Sequence, residues 1–291
     1  MQTFQTPQPI SVTVELGVGH VRVAASDRTD TTVAIRPTDA GKKADVQAAA
    51  QTHVEYANGV LVIKAPKGWR KLAPWGGNES IDVEVDLPVG SHVRGTTGVA
   101  PLQCTGRLGE CHYKTGVGDI HIDEAASVEL ATGAGEIAVA HAVGHAELKA
   151  GSGGLRIGTI DGTATTKNGN GDTMVREITG DLRASAANGT VVVDRAGASV
   201  VAKTANGDIR VGDAVRGTID AATGHGKVVV GVRDGVAAWL DLDTHFGNVH
   251  NELESTERPE AGVEAVDVRA RTAFGDITIR RSFAIDGTDV A

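Results

Sequence analysis

A short motif, Thr-Gly-x-Gly-Asp-Ile-x-Ile, recurs along most of this chain and strongly limits what the chain can fold into. It is clearest at residues 115–122, and variants of it occupy 132–139, 168–175, 205–211, 223–230 and 273–279. Glycine supplies the backbone angles of tight turns, and apolar residues in alternation indicate a strand. Each copy of the motif therefore predicts a turn followed by a strand.

The copies are spaced by about 18 residues. Aligned on the residue before the strand, the reference positions are Ala100, Gly118, Gly135, Gly153, Gly171, Gly189, Gly207, Gly226, Gly247 and Gly275. Their successive differences are 18, 17, 18, 18, 18, 18, 19, 21 and 28 residues. Repeats of this length indicate an architecture in which each unit buries its apolar face only against its neighbours.

Each repeat contains two stretches with a period of two, which predicts two strands per rung. The second and fourth positions after the reference form one inward wall, as at Ile120 and Ile122, and the seventh and fifth positions before it form the opposite wall, as at Val128 and Leu130. The residues between them are mostly polar and should face outward. We therefore predict an all-β fold, a parallel β-solenoid with about 18 residues and two short strands per rung.

The first 90 residues predict a β-rich cap with one short helix, which is continuous with the solenoid. The helix is expected at 42–52, the run of helix formers, and a tight hairpin is expected around Asn58-Gly59. The alternating strand 81–87 should lead into the repeats. We expect the repeat solenoid to occupy 91–285 and a tail to occupy 286–291.

Composition excludes several classes of protein. A formal net charge of -9 without a basic block gives no footprint for nucleic acid or an anionic membrane. We find no apolar run long enough for a membrane span and no signal-peptide pattern at the start, so the sequence predicts a cytoplasmic protein. Cys104 and Cys111 lack metal-site spacing, and we expect them to pack in the core.

The loop 67–78 breaks the strand rhythm and holds two of the three tryptophans. Exposed tryptophan favours stacking and interface contacts, so Trp69, Trp75, Arg70 and Lys71 are the predicted binding residues. The alternative, which we favour about two to one, is that both rings cap an open end of the solenoid. A second irregular stretch, the acidic segment 251–262, is expected to be a surface loop inserted between rungs.

Calcium is a candidate ligand, because 18 is twice the nine-residue period of calcium-binding β-rolls. The position after the second Gly is not acidic throughout, since Gly154, Thr190 and Lys227 occupy it in three repeats. We therefore expect the aspartates there to bond turn amides, and we predict no metal site and no cofactor. The histidines are expected to be solvated.

A polysaccharide-acting enzyme is the main alternative to a binding protein. It requires paired carboxylates on one outward face, and Asp220 with Asp241 on adjacent rungs is the best candidate pair. An outward column of lysines, Lys114, Lys149, Lys167 and Lys203, is a second feature of that kind. Outward positions are commonly polar, however, so neither column identifies an active site.

The opening alternation with Gly17-Val-Gly19, the step Asp86-Leu-Pro-Val-Gly90 and the repeated Thr-Gly-x-Gly-Asp-Ile units resemble the bacterial putative-adhesin family of unknown function, a β-strand-repeat domain grouped with toast-rack domains. The resemblance spans roughly residues 10–279. It implies a parallel β-solenoid, a bacterial source and an adhesin label without catalytic residues. Some family members carry membrane segments and an envelope association, so an envelope location stays open.

Together these features predict a non-enzymatic, adhesin-like scaffold. It would present flat sheet faces and the tryptophan loop to an unknown protein or glycan partner. A polysaccharide-acting enzyme and a calcium-stabilised β-roll are the alternatives. The open ends of such a coil could also pair with a second copy.

Overall fold

The computed structural model describes residues 1–66, 79–254 and 265–282. Within them lie one helix, α1 (Lys43–Gln51), and 24 strands. The strands are β1 (Gln2–Gln5), β2 (Ser11–Ser26), β3 (Asp30–Pro37), β4 (His53–Ala57), β5 (Val60–Lys64), β6 (Ile81–Pro88), β7 (His92–Val99), β8 (Leu102–Val117), β9 (Ile120–Ala134), β10 (Ile137–Ala142), β11 (Ala146–Ser152), β12 (Leu155–Ile160), β13 (Ala164–Asn170), β14 (Thr173–Ile178), β15 (Leu182–Asn188), β16 (Val191–Ala196), β17 (Val200–Asn206), β18 (Ile209–Ala214), β19 (Gly217–His225), β20 (Val228–Val232), β21 (Ala237–Phe246), β22 (Val249–Asn251), β23 (Ala265–Phe274) and β24 (Ile277–Arg281). Most pairs of neighbouring strands are parallel, and the predicted all-β parallel solenoid is confirmed.

The chain divides into two compact units. Unit 1 comprises Met1–Val143 with Leu148–Ser152, and unit 2 comprises Gly144–Glu147 with Gly153–Ala291.

In unit 2, two parallel ladders run through successive rungs. One ladder joins β12, β14, β16, β18 and β20, and the other joins β13, β15, β17 and β19. Residues one repeat apart lie side by side, as Thr173 does with Val191 and Leu182 with Val200. The 18-residue spacing is therefore the length of one rung.

The two inward walls form the core, as the period of two predicts. Ile209 and Val211 on one wall are fully buried, and so are Val200 and Ala202 on the other. Burial of each larger aliphatic side chain contributes about 1.5–3 kcal/mol before chain entropy is subtracted. Cys104 and Cys111 are free thiols in the corresponding core of unit 1. Burial raises the pKa of Cys104, and the neighbouring Cys111 adds to this effect.

At most corners of the coil, the glycine at the reference position is required by how the rungs stack. Gly189 has a φ of 140°, and a Cβ added there would overlap the carbonyl of Gly171 in the preceding rung. The threonine that opens the motif forms a hydrogen bond to the neighbouring rung. The hydroxyl of Thr223, for example, donates to the carbonyl oxygen of Gly207 at 2.8 Å. The small residues of the motif thus form the corner of each coil.

Unit 1 is built around the long strand β2, which bends at Gly19 (φ 150°) and contributes to both walls. The first half of β2 pairs with β5 on one side and β7 on the other, while its second half pairs with β6 and β8. The antiparallel strands β4 and β3 continue the sheet beyond β5 and β6, and β1 pairs with β3.

The predicted local elements of unit 1 are also confirmed. Helix α1 lies within the expected segment. The hairpin between β4 and β5 turns through Asn58 and Gly59, which have φ values of 51° and 77°.

The order of rungs in space differs from their order in the sequence. In unit 2, β23 lies between β19 and β21, and β24 lies between β20 and β22. The rungs that carry Asp220 and Asp241 are therefore not adjacent, contrary to the prediction. In unit 1, β6 leads along the chain into β7, as predicted, but in the stack β2 lies between β6 and β8. The repeat determines which positions of two stacked rungs lie side by side. It does not determine which two rungs are neighbours, because every rung has the same inward positions.

Candidate functional site

A groove with a cavity volume of about 1200 Å³ lies on the outer face of one sheet of unit 1. Its floor is formed by outward side chains from β2, β7, β8 and β9. Two columns cross the floor, one of Thr13, Arg94, His112 and Glu129 and one of Glu15, Thr96, Lys114 and Ala131. With parallel strands about 4.8 Å apart, four strands give a floor about 14 Å across.

The wall of the groove comes from chain segments that are distant from the floor in sequence. Ala48 of α1 lines it, together with Ala65, Pro66, Glu79 and Ile81. These residues are mostly small or apolar. The groove therefore has a polar floor beside a largely apolar wall.

Asp45 fixes helix α1 beside the groove. Its carboxylate accepts a hydrogen bond from the Ser80 N–H at 3.0 Å and pairs with the Lys42 ammonium at 3.0 Å. Burial tends to raise the pKa of Asp45, but the bonds from Ser80, Lys42 and the Asp39 N–H outweigh it and lower the pKa. Asp45 therefore holds the wall in its ionised form.

The floor carries both acidic and basic side chains. His112 Nδ1 lies 3.1 Å from a carboxylate oxygen of Glu129, and Glu15 pairs with Lys64 at 3.2 Å. Lys114 and Lys149 also line the groove. Among the described residues, Lys114 makes no ion pair. The floor thus offers hydrogen-bond donors and acceptors side by side, with Lys114 available to a ligand.

Tyr113 supports the floor from the inside. Its ring is buried, and its hydroxyl accepts a bond from Thr97 at 3.1 Å and lies 3.3 Å from the carbonyl oxygen of Ala100, to which it donates. Burial raises the pKa of Tyr113. The phenol is therefore a neutral structural group.

The predicted binding residues Trp69, Arg70, Lys71 and Trp75 lie outside the described residues. Pro66 and Glu79, close to the two ends of that stretch, both line the groove. The acidic segment 251–262 also falls largely outside the described residues. The floor residues themselves were missed, because outward polar residues look alike in every rung. The predicted lysine column was the available signal, since it includes Lys114 and Lys149.

The carboxylate pair expected of an enzyme is not assembled. Arg269 lies between Asp220 and Asp241 in the outward column, so the two aspartates are not on adjacent rungs. Asp241 instead accepts a hydrogen bond from Arg271 at 3.2 Å. The prediction of adjacent carboxylates is wrong because it assumed that rungs stack in chain order.

Asp194 is a carboxylate whose pKa is raised, which is often a sign of a functional group. Burial raises the pKa, and Arg176 and Arg210 oppose the effect. The charged neighbours of Asp194 are thus two cations. This arrangement is not the pair of carboxylates that glycoside hydrolysis uses.

The aspartates of the turn column bond backbone amides, as expected. Asp119 accepts from the Glu136 N–H, Asp172 from the Thr190 N–H and Asp208 from the Lys227 N–H, each at 2.8 Å. Each bond connects one rung to the next. Within residues 1–66, 79–254 and 265–282, no three His, Cys, Asp or Glu side chains cluster as a metal site requires. In the same part of the chain, no helix is long and apolar enough to cross a membrane.

The fold and the groove define a parallel β-solenoid protein with a ligand-sized depression on one outer sheet face. Residues 10–280 match the family model described as Toastrack DUF4097, and the chain belongs to this family. The resemblance to toast-rack domains is thereby confirmed.

Several solved structures match most of the chain at low sequence identity. A putative lipid binding protein from Parabacteroides distasonis is 11% identical with a TM-score of 0.46, and the match covers 97% of this chain and 96% of that one. A putative adhesin from Parabacteroides merdae is 11% identical with a TM-score of 0.42, covering 97% and 95%. A putative adhesin from Parabacteroides distasonis is 15% identical with a TM-score of 0.39, covering 96% and 95%. No curated protein matches the chain.

Proposed function

We propose that this protein is a non-enzymatic, adhesin-like binding scaffold that holds an extended glycan in the groove of unit 1. The observation that carries the proposal is the polar floor, which alternates donors and acceptors over four strands. Sugar hydroxyl groups both donate and accept hydrogen bonds. A flat floor with Thr13, Thr96, His112 and Lys114 can satisfy them along several sugar units.

A glycan suits this floor better than a folded protein partner does. Protein interfaces depend on a few aromatic or aliphatic anchors that enter well-packed pockets. The described floor presents threonines and charged side chains. Leu130 and Tyr113 are buried beneath it, and the aliphatic side chain of Val99 is 46% exposed at the groove, but no aromatic anchor is exposed among the described floor residues. A protein partner is the alternative that the experiment below separates from a glycan.

The tryptophan loop is assigned to the same site as part of this proposal. Trp69 and Trp75 would stack on sugar rings, and Arg70 and Lys71 would bond acidic or hydroxyl groups. The support is that Pro66 and Glu79, close to both ends of the loop, line the groove. The scaffold would bind without cleaving; the carboxylate pair predicted for an enzyme, Asp220 and Asp241, lies in unit 2 and is separated by Arg269.

The proposal is tested by screening the full chain on a glycan array and measuring the affinity of the best glycan by calorimetry. Lys114→Ala, and separately the double change Trp69→Ala with Trp75→Ala, should each weaken binding about tenfold or more, roughly the loss of one good contact. Lys203→Ala is the matched control, because Lys203 is an outward lysine of unit 2. Equal losses in the control, or shortened glycan products, would contradict the proposal. Binding of a protein instead, lost in the same variants, would replace the glycan with that partner.

A further inference from the structure

The outer edge of β21 is unpartnered within the described part of the chain, where β21 pairs only with β23. In unit 1, by contrast, the antiparallel strands β3 and β4 continue the sheet beyond β6 and β5. A free edge presents a row of backbone N–H and C=O groups that can pair with another strand. We call this outer side of β21 the terminal edge.

Apolar and aromatic side chains are exposed along the terminal edge. Trp239 is 57% exposed and Phe246 is 68% exposed. The inward residues Leu240 and Leu242 are only half-buried, although the same wall is fully buried at Ile219 and Val268. The core is therefore open at this rung.

The charges of the last two rungs are complementary. Residues 237–254, the terminal rung, contain Asp241, Asp243, Glu252 and Glu254 and no lysine or arginine. The neighbouring strand β23 places Arg269 opposite Asp241 and Arg271 opposite Asp243. The strand that already pairs with β21 is thus basic opposite both aspartates, with Asp267 two residues earlier opposite Trp239. Arg271 already donates to Asp241, and the terminal edge offers both Asp241 and Asp243 to a second strand.

An aromatic stack continues to the terminal rung. The rings of His225 and Phe274 lie 4.8 Å apart at an angle of 6°, and those of Phe274 and Phe246 lie 4.9 Å apart at 7°. An asparagine ladder precedes the stack in the same column, with Asn206 Nδ2 donating to Asn188 Oδ1 at 2.9 Å. Phe246 is the last ring, so one more aromatic residue could extend the stack.

We propose that the terminal edge binds an extended peptide segment of a partner protein, which adds as a strand parallel to β21. The segment has basic residues at two alternate positions, opposite Asp241 and Asp243, small apolar residues between them and an aromatic residue opposite Phe246. Main-chain hydrogen bonds supply affinity in this mode, and alternate side chains supply specificity. A second copy related by a two-fold axis fits less well. Antiparallel pairing of two β21 strands about Leu242 would place Asp241 opposite Asp243 of the other copy, and like charges in that position repel.

The probe is a capped peptide with the sequence of β23, Ala-Val-Asp-Val-Arg-Ala-Arg-Thr-Ala-Phe. Its binding to the full chain is measured by fluorescence anisotropy. Replacing both arginines of the peptide by glutamate, or changing the protein by Asp241→Asn with Asp243→Asn, should weaken binding about tenfold, as loss of two exposed ion pairs allows. Asp220→Asn is the matched control, since Asp220 is separated from Asp241 by β23.

Two N-methylated peptides test strand addition itself. In one the amides of odd positions are methylated, and in the other those of even positions, so that each blocks one edge of the peptide strand. One should bind like the parent peptide and the other should fail. Equal binding of both would show simple charge attraction and overturn the proposal.

No binding of the parent peptide would overturn the proposal, and dimers in sedimentation velocity together with that failure would identify a second copy as the occupant. A loss of binding in Asp220→Asn would mean that the peptide displaces β23, which would equally overturn it.

Discussion

The ring of Tyr113 occupies the space beside Gly95 in which the Cβ of any other residue would lie. The two residues are neighbours on β8 and β7, directly under the groove floor. The phenol is held in place by bonds with Thr97 and Ala100. The glycine and the tyrosine thus form one fitted pair that keeps this part of the floor level.

Gly95→Ala should destabilise the protein by about 1–3 kcal/mol, because the added methyl group overlaps a buried ring that cannot move freely. The lowered melting temperature would be measured by differential scanning calorimetry. Gly17→Ala is the matched control, since a Cβ there meets nothing within 4 Å. Adding Tyr113→Ala to Gly95→Ala should cost less than the sum of the two single changes. Additive costs would contradict the fitted pair.

Asp172→Ala should cost about 1 kcal/mol, because it leaves the Thr190 N–H of the next rung without its acceptor. Asp172→Asn keeps an oxygen acceptor and should cost less. Chemical denaturation of both variants measures the difference. If the turn column instead bound calcium, millimolar Ca²⁺ would raise the melting temperature and a chelator would reverse the rise.

The terminal position of the β21–β22 rung predicts unequal costs for two similar truncations. Ile209→Ala removes a fully buried side chain and should cost about 2–5 kcal/mol. Leu242→Ala removes a half-buried one and should cost less than about 1.5 kcal/mol. Urea unfolding of both variants tests the rung order. Similar costs would indicate that β21 lies inside the stack.

The contribution of Asp45 to the stability of unit 1 depends on pH. Because its pKa is lowered in the folded protein, its stabilisation is fully present above the usual aspartate pKa and is lost as pH falls through the lower folded pKa. Asp45→Asn should cost about 1.5–3 kcal/mol at pH 7, and much less near pH 2. The exposed carboxylate of Asp27 provides the control, Asp27→Asn, which should change stability little at either pH. A constant cost from pH 7 to pH 2 would show that the charge of Asp45 is not what stabilises α1.

The sequence predicted positions within a rung better than it predicted neighbours between rungs. The alternation that places Ile120 and Ile122 inward follows from strand geometry, and both are buried. The neighbour of a rung is decided by complementarity between whole rungs, and every rung offers similar apolar walls. The signals that could have revealed the order were Asn251 at an inward position and the arginines of 265–281 beside an acidic rung.

The groove could not be predicted from the repeats. Its floor belongs to regular rungs, but its wall comes from α1 and the segments beside Pro66 and Ile81. How Ala48 comes to line the same groove as Thr96 depends on tertiary contacts such as that of Asp45 with Ser80, which no periodicity encodes.

Hydrogen–deuterium exchange of the full chain with and without its array-selected glycan tests the central claim most directly. Groove binding predicts slower exchange at the floor segments 13–17, 94–99, 112–114 and 129–131, with unit 2 unchanged. Slower exchange confined to unit 2, or none at the floor despite saturating glycan, would contradict the assignment of the groove as the binding site.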